Sequence, residues 1–160
     1  MTEFSPTNLQ RLHTVASRTR QLTVALMIIH FLATHLPHVS HSALAVGDKT
    51  LHLAAYLTLT LFVLASWELS TGILRPQHYF AVWIAGTLYG LMDEVTQIPV
   101  GRSCNGLDWL ADIVGILLGL TIFCVARPLM YRFFCLSQVD CLAVAMATES
   151  HQRSKHGPSE

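Results

Sequence analysis

Charge is scarce in this chain. Only 12% of its 160 residues are Asp, Glu, Lys or Arg, and the two signs balance to a formal net charge of zero. An ordinary soluble domain carries roughly a quarter, so a soluble globule is excluded. The balance also denies the chain the broad basic surface that nucleic acid requires, and no nucleic-acid partner is expected. The cysteines Cys104, Cys124, Cys135 and Cys141 have no metal-ligand spacing, and no disulfide is expected from them. There is no internal repeat and no Gly-rich nucleotide loop, so Gly101 reads as a turn residue.

What is present is apolar: 52% of residues are hydrophobic. They gather into long runs, Leu22 to Pro37, Leu51 to Leu69, Tyr79 to Ile98 and Trp109 to Ala126. Runs of this length cross a bilayer as helices, the first only with help from its flanks. The fold class expected is all-α, a four-helix transmembrane bundle, which leaves no room in these residues for a separate soluble catalytic domain. It divides into a cytoplasmic N-terminal arm (1–21), a transmembrane domain (22–135) and a cytoplasmic polar tail (136–160). Gly72 and Pro76 mark a tight turn, Gly101 and Gly106 a loop, and Pro128 an end or kink of the fourth span.

The basic residues orient the bundle. With both termini on one side, that side collects Arg11, Arg18, Arg20, Arg75, Arg127, Arg132, Arg153 and Lys155, and leaves Lys49 and Arg102 opposite. The positive-inside rule assigns the first group to the cytoplasm of a multi-pass protein in the inner (cytoplasmic) membrane. The arm's arginines then meet anionic lipid. A cleavable signal peptide ending at Ala43-Leu44-Ala45 is the rival reading, opposed by the long charged leader and by His30 inside the apolar run. Trp67, Trp83 and Trp109 lie near span ends, as interfacial anchors do. Glu68, at the inner end of its span, is positioned to meet Arg75.

Two spans carry acids and glycines on one face: Gly86, Gly90, Glu94 and Gln97 on the third, Asp108, Asp112, Gly115 and Gly119 on the fourth. Glycines permit close approach of helix backbones, so the two faces are expected to pack on each other and hide the acids from lipid. Intramembrane acids are costly and mark a functional site by default. The outward layer gathers Asp48, Lys49, His52 and Tyr56 at steps of three and four on the second span, then Asp93, Glu94 and Gln97, then Arg102 and Ser103 in the loop, then Asp108 and Asp112. One polar pocket between the second, third and fourth spans is the economical arrangement.

The ordered set Leu36-Pro37, Asp48-Lys49, His52, Tyr56, Glu94, Gln97, Gly101-Arg102-Ser103, Asp108 and Gly115 resembles VanZ-like membrane proteins over about Leu22 to Leu120. The resemblance implies a small multi-span membrane protein of a family in which one member is linked to glycopeptide (teicoplanin) susceptibility. Asp112 stands where that family usually has Asn, and Ile98-Pro99-Val100 shortens the loop before Arg102. Antibiotic resistance is not carried over to this chain.

Charge counting narrows the chemistry. Asp48, Asp93, Glu94, Asp108 and Asp112 face only Lys49 and Arg102, so some acids are protonated or a cation or donor-rich ligand joins them. The leading expectation is an outer-leaflet site for an amphiphilic envelope molecule, a membrane lipid or a lipid-linked cell-wall precursor. Asp48, Lys49, His52, Tyr56, Glu94, Gln97, Arg102, Ser103, Asp108 and Asp112 are its ligand-binding residues. The alternative is a membrane-embedded hydrolase or transferase with Glu94 or His52, and Asp108 as a further candidate, moving the proton; Ser103 has no nucleophile-elbow motif. A third reading is a purely structural ion-pair network. His35, His38, His41 and His52 near Asp48 match no ligand spacing, so neither metal nor cofactor is assigned. Oligomeric state leaves no mark in the sequence.

Overall fold

The computed structural model describes residues 6–35, 47–101 and 104–133. Those residues form four α-helices, with no strand among them: α1 (Pro6–His35), α2 (Asp48–Thr71), α3 (Pro76–Gln97) and α4 (Gly106–Phe133), a 3-10 turn (Ile98–Val100) following α3. The helical, four-element reading of the sequence therefore holds. Two helices, Asp48–Thr71 and Gly106–Leu129, are long and apolar enough to cross a membrane. The expected cleavage motif at 43–45, His38, His41, Arg102, Ser103, Cys135, Cys141 and the 136–160 tail lie outside the described residues.

Helix ends follow local chemistry. Gly47 O accepts from Thr50 N at 2.9 Å to open α2, and Asp48 in its first turn complements the helix dipole. Gly72, at φ 85°, closes α2 by donating its N–H to Glu68 O at 2.8 Å, a left-handed backbone that only glycine adopts without strain. Pro76 then starts α3, where its missing N–H costs nothing. Asn105 caps α4: its side-chain Oδ1 accepts from Leu107 N at 3.1 Å and its carbonyl from Asp108 N at 2.9 Å.

Several details go beyond the sequence reading. α1 begins at Pro6, so the arginine-bearing arm is the first part of the helix that carries the first apolar run. Pro128 lies inside α4 and does not end it. Glu68 does not meet Arg75. It accepts from Arg127 Nε at 2.8 Å instead, joining α2 to α4. Trp109, expected as an interfacial anchor, donates its indole N–H to Thr87 O at 3.1 Å and ties α4 to α3.

The glycine faces also divide differently. Cβ atoms at Gly86 and Gly90 would meet Ile116 and Asp112 of α4, as expected, but those at Gly115 and Gly119 would meet Leu53, Leu57 and Thr60 of α2. Helix α4 therefore sits between two neighbours. Asp112 lies between the α2-facing glycines and the α3-facing Trp109 and Ile116, and one stripe was read from sequence where two adjacent stripes exist.

The core is polarised along the bundle. Near the α2–α3 turn it is apolar, with Leu64, Leu74, Val82 and Phe123 packed together. At the other end it is polar. The Glu68–Arg127 pair sits at the apolar end with Glu68 buried. Arg127→Ala should therefore lower stability by about 2 kcal/mol, and Glu68→Ala/Arg127→Ala should recover part of that loss, because removing one member of a partly buried ion pair costs more than removing both. Melting of the single and double variants in detergent measures it.

Candidate functional site

The polar end is assembled from all four helices, each contributing residues at helical steps. From α2, His52 and Tyr56 are four apart and buried; from α3 come Asp93, Glu94 and Gln97; from α4, Asp108 and Asp112. Every one of these is at most 6% exposed, and Asp112 is wholly buried. Asp48 and Lys49 stay at the exposed rim.

Specific contacts knit the set together. Lys49 Nζ donates to Asp108 Oδ1 at 3.2 Å across the rim. Below it, His52 Nδ1 and Asp112 Oδ1 are 2.9 Å apart. Gln97 Nε2 donates to Asp93 Oδ2 at 3.0 Å, and Glu94 Oε2 accepts from Asn105 N at 2.8 Å, so one carboxylate holds the start of the next helix. Arg102 and Ser103, expected among the ligand-binding residues, lie outside the described residues.

Helix α1 was missing from the expected pocket. Thr34 Oγ1 donates to Asp93 Oδ1 at 2.8 Å. His30 Nε2 and His35 Nδ1 stand 4.0 and 3.8 Å from Asp93. The His30 ring meets Tyr56 edge-on at 4.9 Å and lies 6.4 Å from the His52 ring. Asp93, counted in the polar layer but not among the ligand residues, is thus the joint between α1 and α3. The sequence held a signal for this: His30 and Thr34 are four apart inside an apolar run, one face of a helix.

Satisfaction is incomplete. Tyr56 Oη, Glu94 Oε1, Asp112 Oδ2 and His30 Nε2 are buried with no hydrogen-bond partner among the described residues. Buried polar atoms are rarely left so, and each costs about 1–3 kcal/mol. Two residue groups bring potential metal-ligand atoms within 4.8 Å of one another: His52, Asp93 and Glu94, all buried, and Asp48, His52 and Asp108, reaching the rim. The geometry offers acid–base and cation-holding chemistry.

A cleft of about 420 Å³ runs between α1 and α2 beside this cluster. Leu26, Ile29 and Leu59 form much of its apolar wall, and His30, Asp48 and His52 give it a polar one.

Searches of curated proteins and of solved structures found no match. A family model described as VanZ/LLP1 matches residues 2–127, which takes in α1, α2, α3, the polar cluster and most of α4. The chain therefore belongs to the VanZ/LLP1 family.

Proposed function

We propose that the protein takes up an amphiphilic cell-envelope molecule from the outer leaflet, the hydrocarbon chain in the α1–α2 cleft and the polar head against the cluster at its end. Membrane association is supported by the two apolar helices and by the family. Helices α1 and α3 complete a four-span bundle: α3 is about 33 Å long by its 22 residues, close to the thickness of a bilayer core. Large apolar side chains cover their outer faces, Ile28 at 54% and Met92 at 65% exposure among them. Such surface is tolerable where lipid, not water, is the solvent.

The cleft is the observation that carries the reading. Its walls are apolar along most of its length and polar where His30, Asp48 and His52 stand, the profile of a molecule with one greasy and one polar end. Each methylene buried there contributes about 0.8 kcal/mol when it leaves water. Lys49, half-exposed beside Asp108, is placed to meet a phosphate at the rim.

Purification in native lipid followed by mass spectrometry tests this. One envelope lipid should be enriched over its share of the membrane, and Ala55→Trp, which fills the cleft, should abolish the enrichment while the bundle still melts cooperatively. Wild-type protein carrying lipids in bulk proportion would overturn the reading, and a chemically altered lipid after incubation would replace binding with catalysis. Orientation has its own check. A membrane-impermeant thiol reagent applied to intact cells should label Cys104, which is exposed, and spare Cys141; labelling of Cys141 alone would put the cluster on the cytoplasmic side.

A further inference from the structure

We propose that His52, Asp93 and Glu94 bind a divalent transition-metal cation, of the zinc class, inside the bundle. The inference goes beyond the lipid reading, because it rests on the buried cluster and not on the cleft.

Position is the first argument. The potential ligand atoms of these residues lie within 4.8 Å of one another, and the residues are 4%, 2% and 2% exposed. A tetrahedral zinc ion holds its ligand atoms roughly 3.4 Å apart at bond lengths near 2 Å, so small side-chain rotations close the set. His30 is the fourth donor: its Nε2 makes no hydrogen bond among the described residues and stands 4.0 Å from Asp93 Oδ2.

Unfinished bonding is the second argument. Glu94 uses one oxygen to accept from Asn105 N, while the other, Oε1, is buried with no hydrogen-bond partner among the described residues. A bare carboxylate oxygen sealed from water calls for a positive partner. The basic groups recorded against Asp93 and Asp112 are all histidines, His30, His35 and His52, and Lys49 is engaged with Asp108. A dication supplies positive charge where the acids of the cluster outnumber their partners.

The surroundings of His52 supply the third. Its Nδ1 faces Asp112 Oδ1 at 2.9 Å, which leaves Nε2 for a ligand. A carboxylate on the far nitrogen of a metal-bound imidazole is the usual arrangement, because it fixes the tautomer and the ring. The mixture of imidazole and carboxylate suits zinc, or manganese and iron, better than the all-oxygen shells of calcium and magnesium. The neighbouring group Asp48, His52 and Asp108 competes poorly, since Asp48 is exposed and the charge of Asp108 is already met by Lys49.

The test uses the full chain in detergent, stripped with chelator and then titrated with zinc or cobalt(II) alone. About one equivalent should be retained through gel filtration, cobalt should give the visible bands of a tetrahedral site, and added zinc should raise the thermal midpoint. Glu94→Gln keeps an acceptor for Asn105 N and so should fold, yet should bind zinc at least about tenfold more weakly; Asp108→Asn should bind as wild type does. Wild-type protein that retains no metal and melts at the same temperature with or without zinc would overturn the proposal. So would undiminished binding by Glu94→Gln, or a loss confined to Asp108→Asn.

Discussion

Gly115→Ala should be among the most damaging single-methyl additions in the chain. The new Cβ would lie 2.5 Å from Leu53 O and 3.1 Å from Leu57 N, both backbone atoms of α2. Nothing there can rotate away, so α2 and α4 must separate along the interface that also positions His52 against Asp112. Overpacking of this kind costs about 3 kcal/mol, against which the helix-propensity gain of alanine over glycine returns about 1. Gly86→Ala is the control. Its Cβ would meet Ile116 Cδ1 at 2.9 Å, the flexible end of a side chain, and its net effect should stay under about 1 kcal/mol. Thermal midpoints in detergent decide the matter. Equal midpoints for Gly115→Ala, Gly86→Ala and wild type would remove close backbone packing from the account of the fold.

That contrast marks how far the sequence could be read. Small residues at helical steps announce that α4 approaches a neighbour closely, but they do not say which, because a central helix has two neighbours and Gly115 and Gly119 carry no label for α2 over α3. The four helices and the Gly72–Pro76 turn were legible, since hydrophobic run length and punctuating residues act locally. Long-range pairing was not. Glu68 sits near Arg75 in the chain, yet Arg127, 59 residues away, is the cation that reaches it at 2.8 Å. The polar layer was legible as a layer, because buried ionisable residues are few in an apolar chain and their depth follows from position along the spans. Its fourth wall was not: His30 and Thr34 look like isolated tolerated polar residues until Asp93 is found opposite them.

Glu94→Gln should abolish function and leave the fold standing, and this separates a working site from a structural network. Glutamine is nearly isosteric and its carbonyl oxygen still accepts from Asn105 N, the one hydrogen bond recorded for Glu94. The start of α4 therefore stays held, and stability should change by less than about 1 kcal/mol. What is lost is the charge at the buried Oε1, where no protein donor is found among the described residues. A network whose sole purpose is to join helices has no use for that charge, so under a structural role Glu94→Gln is silent in every assay. Asp93→Ala is the counterpart. It removes the acceptor that Thr34 and Gln97 share, and should lose about 2–3 kcal/mol under either account. Complementation in cells, paired with melting of the purified variants, reads both quantities. Loss of complementation at an unchanged midpoint in Glu94→Gln is the expected result. Full complementation by that variant, beside a destabilised Asp93→Ala, would leave the cluster as a means of holding α1, α3 and α4 together and nothing more.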